Sequence, residues 1–328
     1  MNSRSFRYLI FLVLVAGITG VTAAQELTAT PAPSKTPTLI PETTVEPVES
    51  TTVTVEARPL SRSFTQEDLQ VLVGNVQRPN GIAWWNDNLY VACNGDWTLY
   101  EINSVTGSTI TLIFGIQDAF TLHAEESPTG YNLFVPDFEK GQIFRVDERR
   151  GAPELIAENL NGPWGIAALE DSFFVTVLRS GELLQVSRAG EVTTVVDGLR
   201  SPTGVVVDGE FVYVANNGSA RRAIEWFEAE DLKQPELRTL VTGIQNPSSL
   251  VLGADGYLYF TYALGTRGVV GRVQPQTCRN QECSQSDVEI VLFSELQAPL
   301  AGLTISPDMR LFVHTIYRPE IYWVKLYE

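Results

Sequence analysis

The sequence is poor in cysteine, histidine and methionine, and these shortages exclude several kinds of site. The 328 residues include three cysteines, two histidines and two methionines. So few cysteines exclude a disulfide-rich scaffold. The absence of a Gly-x-Ser-x-Gly segment, together with only two histidines, gives no support for a Ser-His-Asp hydrolase. His123 and His314 both fall within strand patterns, which favours structural roles for them.

Basic residues are scarce relative to acidic ones. The chain has 23 Lys and Arg against 39 Asp and Glu, which gives a formal net charge of −16. A body of this charge repels nucleic acid and anionic lipid, so we exclude both as partners. The simplest explanation of the charge is a surface that keeps the protein soluble.

The three cysteines divide into a close pair and one isolated residue. Cys278 and Cys283 lie in a polar insertion, and outside the cytosol they predict a disulfide that closes this loop. They are a poor zinc site because two thiolates are too few ligands and no histidine is near. Cys93 lies in an apolar strand pattern and is expected to be a buried, inert thiol.

The N-terminal residues have the pattern of a targeting segment. Arg4 and Arg7 precede an apolar run over residues 8–20, and Thr22-Ala23-Ala24 offers small residues for cleavage. The run is short for a membrane span, so residues 1–24 are predicted to be a signal peptide. The alternative is an uncleaved segment that anchors the protein in a membrane through residues 8–24. We therefore expect a secreted protein in the extracellular space or periplasm, with membrane contact only if the segment is retained.

Residues 25–60 are rich in Thr, Pro, Val and Glu. Proline blocks helices and interior strands, and the apolar content of this segment is too low for a core. The composition predicts a disordered linker that leads to a folded domain over residues 64–328.

A repeat of about 40 residues organises the domain. Its clearest copy reads Arg-Pro-Asn-Gly-Ile-Ala at residues 78–83 and, after a polar turn, Leu-Tyr-Val-Ala at residues 89–92. Further copies begin at Asp118, Pro163, Pro202, Pro247 and Pro299, and those at 118, 247 and 299 are degenerate. Third and fourth strand patterns follow in the repeat units. Four strands repeated six times predict an all-β fold, a six-bladed β-propeller.

The strand patterns also predict how the ring closes. The last unit ends with its third strand pattern, at residues 320–324, and an unassigned pattern at residues 68–73 precedes the first unit. We expect this N-terminal strand to complete the last blade, because the pairing leaves no open sheet edge. We expect the closed ring to be a monomer.

The two motifs of the first unit resemble those of NHL-repeat six-bladed propellers and of the wider group that holds regucalcin and the gluconolactonases. The resemblance covers residues 64–328 and says more about fold than about chemistry. It implies that Asn, Asp and Glu at the mouth of the central channel hold a divalent ion, often calcium, in the gluconolactonase-like enzymes. Virginiamycin-type lyases, which are also propellers, use histidines that this chain lacks.

Two sets of positions correspond to metal ligands in that group. The residue between Pro and Gly, here called the slot residue, is Asn80, Phe120, Trp164, Thr203, Ser248 and Leu300 in units 1 to 6. The residue that closes each second strand is Cys93, Asp137, Val177, Asn216, Tyr262 and Thr315. Asn80, Asp137 and Asn216 are the candidate ligands for Ca²⁺ or another divalent ion. The apolar slots indicate instead that the metal site is lost or absent, so we expect no cofactor, and turn formation is the other role open to Asn80 and Asn216.

Basic and aromatic residues follow the second strand in most units. The residues that we assign to a ligand site are Trp97, Lys140, Trp164, Arg179, Arg221, Arg267 and Arg318. Arginine binds carboxylate or phosphate in a bidentate manner, and aromatic rings supply flat apolar surface. The pattern predicts a channel-mouth site for an anionic or carbohydrate-like ligand or an acidic peptide. The alternative is that each arginine pairs with an acidic neighbour.

These observations leave two functions open. The first is a secreted or surface-tethered propeller that binds a small molecule, a carbohydrate or a protein and catalyses no reaction. The second is a metal-dependent lactonase or hydrolase of the gluconolactonase-like type that uses Asn80, Asp137 and Asn216.

Overall fold

The computed structural model describes residues 56, 58–230 and 232–327. The predicted signal peptide, residues 1–24, and most of the predicted linker, residues 25–60, lie outside these ranges. The described residues form six β-sheets, which confirms the predicted all-β six-bladed propeller. No helix within them is long and apolar enough to cross a membrane.

Blades 1 to 4 each contain four antiparallel strands in chain order. Blade 1 consists of β3 (Pro79–Trp85), β4 (Asn88–Cys93), β5 (Thr98–Asn103) and β6 (Thr109–Phe114). Blade 2 consists of β7 (His123–Ser127), β8 (Gly130–Asp137), β9 (Gln142–Asp147) and β10 (Glu154–Ala157). Blade 3 consists of β11 (Pro163–Leu169), β12 (Ser172–Val177), β13 (Glu182–Ser187) and β14 (Val192–Val196). Blade 4 consists of β15 (Pro202–Asp208), β16 (Phe211–Asn216), β17 (Ile224–Glu228) and β18 (Arg238–Val241).

Blades 5 and 6 receive strands from the N-terminal part of the domain. Blade 5 consists of β19 (Leu250–Leu252), β20 (Leu258–Leu264), β21 (Arg267–Val273) and β22 (Glu289–Gln297), with helix α1 (Pro275–Gln281) between the last two. Blade 6 consists of β23 (Leu300–Ile305), β24 (Arg310–Thr315) and β25 (Ile321–Lys325). The strand β2 (Gln70–Val73) pairs antiparallel with β25, as predicted, and β1 (Phe64–Thr65) adds to blade 5 in parallel with β22.

A buried arginine ties the N-terminal residues to blade 5. The guanidinium of Arg272 lies 3.1 Å from the carboxylate of Asp255 and donates to the carbonyl of Arg58 at 2.9 Å. The backbone N–H of Leu60 donates to Glu289 at 3.1 Å. The last residues of the predicted linker therefore contact the propeller, and together with β1 they form a second closure that the repeat pattern did not predict.

Six apolar clusters fill the seams between neighbouring blades of the described domain. In the seam between blades 2 and 3, for example, the rings of Phe134 and Phe173 lie 4.4 Å apart. Side chains of a strand point alternately to the two faces of its sheet, so each blade contributes to two seams. This alternation explains why both faces of the second strands are apolar.

The Pro-x-Gly motif joins neighbouring blades. In blade 1, Pro79 pairs with Cys93 and Gly81 pairs with Ala92, so the slot residue Asn80 bulges out of the ladder. Comparable irregularities occur at the start of the first strands in blades 3, 4 and 6. The glycine admits the backbone of the next blade: a Cβ on Gly165 would lie 2.2 Å from the carbonyl oxygen of Thr203.

Two strand boundaries differ from the sequence expectation. The first strand of blade 2 was expected at residues 118–122 but begins at His123, because Asp118 and Thr121 contact neighbouring blades through side-chain hydrogen bonds. The fourth strand of blade 5 was expected over residues 287–291. It begins at Glu289, since residues Gln285–Asp287 form a 3₁₀ turn.

Candidate functional site

The first strands of all six blades surround a central channel. The channel encloses a cavity of about 330 Å³, and its wall is largely apolar, with Ile82, Ile166, Val205, Leu250 and Leu303 among the lining residues. We call the end at which the first strands begin the upper mouth, and the end at which they finish the lower end. The slot residues lie at the upper mouth, so this is where the predicted site belongs.

The slot residues of blades 4 and 5 bind the next blade. The hydroxyl of Thr203 donates to the carbonyl of Pro247 at 3.0 Å, and the hydroxyl of Ser248 donates to the carbonyl of Leu300 at 3.0 Å. Ser248 also shares a hydrogen bond of 2.7 Å with the hydroxyl of Thr261. Both slot side chains are buried, so their polar atoms stabilise the ring and are unavailable to a ligand.

Asn216, a predicted metal ligand, has its hydrogen bonds satisfied by its own blade. Its side-chain oxygen accepts from the backbone N–H of Arg200 at 3.0 Å. Its amide donates to the carbonyl of Arg222 at 2.9 Å and to the buried carboxylate of Glu225 at 2.7 Å. These contacts fix the loops on either side of β16, which agrees with the turn-forming alternative for this residue.

Asp137, the second predicted ligand, also holds loops in place. One carboxylate oxygen accepts from the backbone N–H of Gln117 at 2.9 Å, and the other accepts from that of Lys140 at 3.0 Å. The ammonium of Lys140 lies 3.5 Å away. The carboxylate is fully buried within blade 2 and is not exposed at the upper mouth.

Asn80, the third predicted ligand, lies beside a carboxylate that the sequence did not single out. The side-chain amides of Asn80 and Asn94 both donate to the same oxygen of Asp118, at 2.7 and 3.0 Å. The other side-chain atoms of the two amides, their Oδ1 oxygens, are buried and have no hydrogen-bond partner among the described residues. We call Asn80, Asn94 and Asp118 the Asp118 site.

The pKa of Asp118 is raised above its ordinary value. Burial of the carboxyl is the main cause, the charge of Glu139 adds to it, and the hydrogen bonds from Asn94 and Asn80 oppose it. A desolvated carboxylate next to unpaired oxygens is an unfavourable arrangement. Such a group is a candidate for contact with a ligand or a reacting proton.

The predicted metal ligands therefore do not form one set. Asn80, Asp137 and Asn216 belong to three blades, and no hydrogen bond in the described ranges joins any two of them. No group of three or more His, Cys, Asp or Glu in the described part of the chain is arranged to hold a metal ion. Of the three predicted ligands, Asn80 is the one whose side-chain oxygen has no hydrogen-bond partner among the described residues.

Three aromatic side chains form a wall at the upper mouth between blades 2 and 3. The rings of Phe120 and Trp164 stack with centroids 3.4 Å apart and planes 8° from parallel. Phe138 meets both rings edge-on, at 5.3 and 5.7 Å. We call Phe120, Phe138 and Trp164 the aromatic wall; each of the three is partly exposed.

Arg179 covers one side of the aromatic wall. Its guanidinium carbon lies 4.2 Å above the ring of Phe138, and its Nη2 lies 3.0 Å from a carboxylate oxygen of Glu139. Both members of this ion pair are exposed, so the pairing is weak and exchangeable. Trp164 and Arg179 are thus two predicted ligand residues that the fold brings to the same place.

The other predicted ligand residues lie around the rim. Trp97 and Lys140 meet at Gly115: its N–H donates to the carbonyl of Trp97, and its carbonyl accepts from the ammonium of Lys140. Arg267 of blade 5 lies 3.3 Å from Glu295, which is the local pairing described as the alternative. Arg221 of blade 4 and Arg318 of blade 6 are exposed. The basic residues therefore do not converge on one point.

The two histidines differ in their surroundings. His314 is fully buried against Gly302 and Ile82, and neither ring nitrogen has a hydrogen-bond partner among the described residues. Burial lowers its pKa to about 4. His123 lines the channel and lies 3.3 Å from the carboxylate of Glu125.

The three cysteines form one disulfide and one buried thiol. Cys278 and Cys283 form a disulfide that closes the loop around helix α1. Cys93 is a buried free cysteine, and burial raises the pKa of its thiol.

Sequence reasoning assigned no functional role to Asn94 or Asp118. Asp118 precedes the slot residue Phe120 by two positions, and Asn94 directly follows the second strand of blade 1. Aligning the six units on their Pro-x-Gly motifs compares the slot residues and leaves out the positions of Asn94 and Asp118. A second alignment on the residue after each second strand would have drawn attention to Asn94.

The fold is shared with several solved propellers. A gluconolactonase from Xanthomonas campestris is similar with a TM-score of 0.62 and 16% identity over 83% of this chain and 100% of that one. Regucalcin from Agrobacterium tumefaciens, a calcium-binding protein, has a TM-score of 0.62 and 15% identity over 81% and 96%. Virginiamycin B lyase from Staphylococcus aureus has a TM-score of 0.56 and 12% identity over 79% and 99%. No protein-family model and no curated protein matches the sequence. Identities this low show the fold alone.

Proposed function

We propose that this propeller is a binding module whose ligand site is the aromatic wall at the upper mouth. The observation that supports the proposal is the juxtaposition of Phe120, Phe138 and Trp164 with Arg179 at the end of an open channel. Aromatic surface beside one exchangeable cation is typical of sites that orient a small ligand through a few polar contacts.

The chemistry of the wall favours a sugar acid or a similar ring that carries a carboxylate. The aromatic rings supply flat apolar surface for the face of a sugar ring, while the guanidinium of Arg179 suits a carboxylate. Glu139 pairs with Arg179, and a ligand carboxylate that binds the guanidinium in a bidentate manner would displace it. The ligand thus replaces the exposed ion pair between Arg179 and Glu139, which contributes little to stability.

The test uses D-glucuronate as the probe and D-glucose as its neutral counterpart. Binding is followed through the indole N–H signal of Trp164 in ¹⁵N-labelled protein, assigned with Trp164→Phe. We expect D-glucuronate to shift this signal and Arg179→Ala to weaken its binding about tenfold, as the loss of a charged hydrogen bond implies. Arg267→Ala removes a similar exposed ion pair on blade 5 and is the matched control.

Two outcomes would contradict the binding proposal. In the first, D-glucuronate and D-glucose bind equally, which would remove the role of Arg179. In the second, Arg179→Ala and Arg267→Ala leave the affinity equally unchanged. The first result would contradict a site selective for anions, and the second would show that Arg179 does not contact the ligand.

A lactonase is the second candidate function, and the Asp118 site favours it. A carboxylate of raised pKa can accept a proton from water that attacks a lactone carbonyl, while Asn80 and Asn94 hold its orientation through their N–H groups. The ring C–O bond then breaks and the released oxygen takes up a proton, which yields a hydroxy acid. A bound divalent ion would polarise the carbonyl. Its protein ligands would be the side-chain oxygens of Asn80 and Asn94, in place of Asp137 and Asn216, so that the carboxylate of Asp118 remains the base.

The lactonase is tested by proton release from D-glucono-1,5-lactone with Ca²⁺, Mg²⁺, Mn²⁺ or Zn²⁺ present. We expect hydrolysis above the spontaneous rate, and its loss in Asp118→Asn, which keeps both acceptor contacts. The melting temperature should rise with the active ion, since an ion that binds only the folded chain stabilises it. Spontaneous rates and unchanged melting temperatures with all four ions would exclude this candidate.

We also propose that the module acts outside the cytosol as a monomer, without nucleic-acid or membrane partners unless residues 8–24 are retained. The disulfide between Cys278 and Cys283 supports this location, because disulfides persist in oxidising compartments. Mass spectrometry of the secreted protein tests it. A mature N-terminus near Ala24 or Gln25 is expected, and a retained Met1 would contradict cleavage.

A further inference from the structure

The acidic residues of the propeller are concentrated at its lower end. Among the described residues, the loops at the upper mouth contain seven Lys or Arg and six Asp or Glu, whereas those at the lower end contain five and twelve. Strands of six residues, as in blade 1, separate the two ends by about 20 Å, which exceeds the Debye length of about 8 Å at physiological salt. The formal charge of −16 therefore does not keep anions from the upper mouth.

Three arginines follow one another along the upper mouth, starting at the aromatic wall. Arg179 lies in the loop after the second strand of blade 3, Arg200 in the loop that connects blades 3 and 4, and Arg221 in the loop after the second strand of blade 4. All three are exposed. We call Arg179, Arg200 and Arg221 the arginine track.

Backbone hydrogen bonds join the three loops of the arginine track. The N–H of Leu199 donates to the carbonyl of Gly181 at 2.9 Å, which ties the middle loop to the first. The N–H of Gly218 donates to the carbonyl of Arg200 at 2.9 Å, which ties the third loop to the middle one. The three loops are therefore one continuous part of the upper mouth, and it begins beside the aromatic wall.

Two guanidiniums of the track have no acidic partner. Within the described residues, neither Arg200 nor Arg221 is in an ion pair with Asp or Glu. Both can therefore bind an anion without the loss of an existing ion pair. Arg179 is paired with Glu139, and this exposed contact is weak enough for a ligand carboxylate to replace it.

The loops of the track carry an excess of positive charge. Their sequences contain four arginines, the fourth of which is Arg222, and one acidic residue, Asp197. Arg222 lies 3.2 Å from the buried carboxylate of Glu225, so its charge is already balanced within blade 4. Asp197 is exposed in the same loop as Arg200 and is the residue of these loops that opposes an anion. The track remains cationic after both are taken into account.

We propose that the upper mouth binds an acidic polysaccharide, a chain of uronic acid units that runs along the aromatic wall and the arginine track. The inference rests on the proposed function, in which one sugar acid lies against the aromatic wall and its carboxylate meets Arg179. Arg200 and Arg221 then bind the carboxylates of further units of the same chain. Arginines that do not converge on one point suit a ligand whose carboxylates recur along its length. The aromatic wall favours a sugar chain over an acidic peptide, since it offers flat surface for the faces of sugar rings.

The experiment compares probes that differ in length alone or in charge alone. The β-1,4-linked tetramer of D-glucuronate is titrated beside D-glucuronate, which is one of its units, and beside cellotetraose, which has the same length without carboxylates. Calorimetry gives the affinities, and the indole N–H signal of Trp164 reports contact with the aromatic wall. We expect the acidic tetramer to bind about tenfold more tightly than D-glucuronate, which is more than the statistical gain from four equivalent units, and cellotetraose to bind more weakly than the acidic tetramer. Added NaCl should weaken binding of the acidic tetramer more than that of D-glucuronate, because several ion pairs are screened instead of one.

Arg200→Ala and Arg221→Ala test the track, and Arg149→Ala is the matched control. Arg149 is also exposed and, among the residues that the structure describes, in no ion pair, but it lies in a loop at the lower end. We expect each track variant to weaken binding of the acidic tetramer about threefold and to leave that of D-glucuronate unchanged. Arg149→Ala should change neither affinity.

Three results would overturn the proposal. The first is equal affinity for the acidic tetramer and D-glucuronate, and the second is an unchanged affinity for the tetramer in both track variants. The third is equally tight binding of tetraglutamate, an acidic peptide with repeated carboxylates, because recognition would then not require sugar rings. A Trp164 signal that D-glucuronate does not shift would instead contradict the proposed sugar-acid site, so the two failures are distinguishable.

Discussion

The two halves of the upper mouth use the same motif differently. On blades 4 and 5, the slot hydroxyls of Thr203 and Ser248 donate to carbonyls of the following blade. On blades 1 to 3, the slots hold an asparagine with an unpaired oxygen and two stacked aromatic rings. A slot side chain that bonds to the backbone of the next blade is not available to a ligand. A slot side chain without such a bond remains available for binding. We call these the satisfied half and the open half.

The seams between blades differ in how tightly their backbones pack. A Cβ on Gly165 of blade 3 would lie 2.2 Å from the carbonyl oxygen of Thr203, in the satisfied half. A Cβ on Gly81 of blade 1 would lie 3.0 Å from the nearest atom, the carbonyl oxygen of Ala119. The seam between blades 3 and 4, where the two halves meet, is therefore tighter than the seam between blades 1 and 2, which lies within the open half.

The largest effect that sharpens this comparison is expected from Gly165→Ala. The new methyl group would overlap the Thr203 carbonyl and the Thr176 hydroxyl, both fixed by hydrogen bonds, so the backbone must shift. We expect a loss of about 3 kcal/mol in the free energy of unfolding for Gly165→Ala and about 1 kcal/mol for Gly81→Ala, as overpacking of this kind costs. Urea unfolding measures both values.

Gly151→Ala is the control for the general effect of replacing glycine, because no atom lies within 4 Å of the added Cβ. It should change the free energy of unfolding by less than about 1 kcal/mol. If Gly81→Ala destabilised the protein as much as Gly165→Ala, the two seams would be equally tight and the comparison would not hold.

The fold could be predicted from the sequence because the repeat encodes it several times. Pro-x-Gly, the hairpin turn and the apolar second strand recur, so an error in one unit is corrected by the others. The expected pairing of β2 with blade 6 is confirmed for the same reason. The closure by β1 and Arg272 escaped prediction because it occurs once and depends on side chains distant in sequence.

The site could be predicted only where its chemistry coincides with the repeat. Trp164 was found because it occupies a slot. Asp118 was missed because its importance comes from contacts with Asn80 and Asn94, which are 38 and 24 residues away. The sequence left open whether the arginines bind a ligand or pair with acidic neighbours, and in the structure Arg179 and Arg267 each lie beside a glutamate from another strand or loop. Pairing across blades is a property of the fold, which a motif does not contain.

A second prediction concerns the seam where the last blade meets the first, at His314. The folded protein holds this imidazole neutral, with a pKa of about 4 against 6.5 in the unfolded chain. The unfolded chain binds the extra proton first, so stability is lost as the pH falls from 6.5 to about 4. The loss is on the order of 3 kcal/mol for a lowering of this size.

His314→Leu should remove this part of the pH dependence, whereas His123→Gln should retain it. The measurement is the free energy of unfolding in urea at several pH values across the same interval. A pH dependence that is identical in His314→Leu and the wild-type chain would show that His314 does not cause the acid sensitivity, and the loss would then belong to the carboxylates.

The smallest expected changes in the free energy of unfolding have opposite signs in the two halves. Asn216→Ala, in the satisfied half, removes the acceptor of the Arg200 N–H and a donor to buried Glu225, so we expect a loss of about 2 kcal/mol. Asp118→Asn, in the open half, keeps an oxygen for both amides and removes a charge that burial disfavours. It should therefore raise the free energy of unfolding by up to about 1 kcal/mol. The ionised carboxylate is the unfavourable form, so this gain should be present above the raised pKa of Asp118 and disappear below the ordinary one. If Asp118→Asn destabilised the protein at neutral pH, the charge of Asp118 would stabilise the fold. Asp118 would then be a structural residue, and the argument for a functional site there would fail.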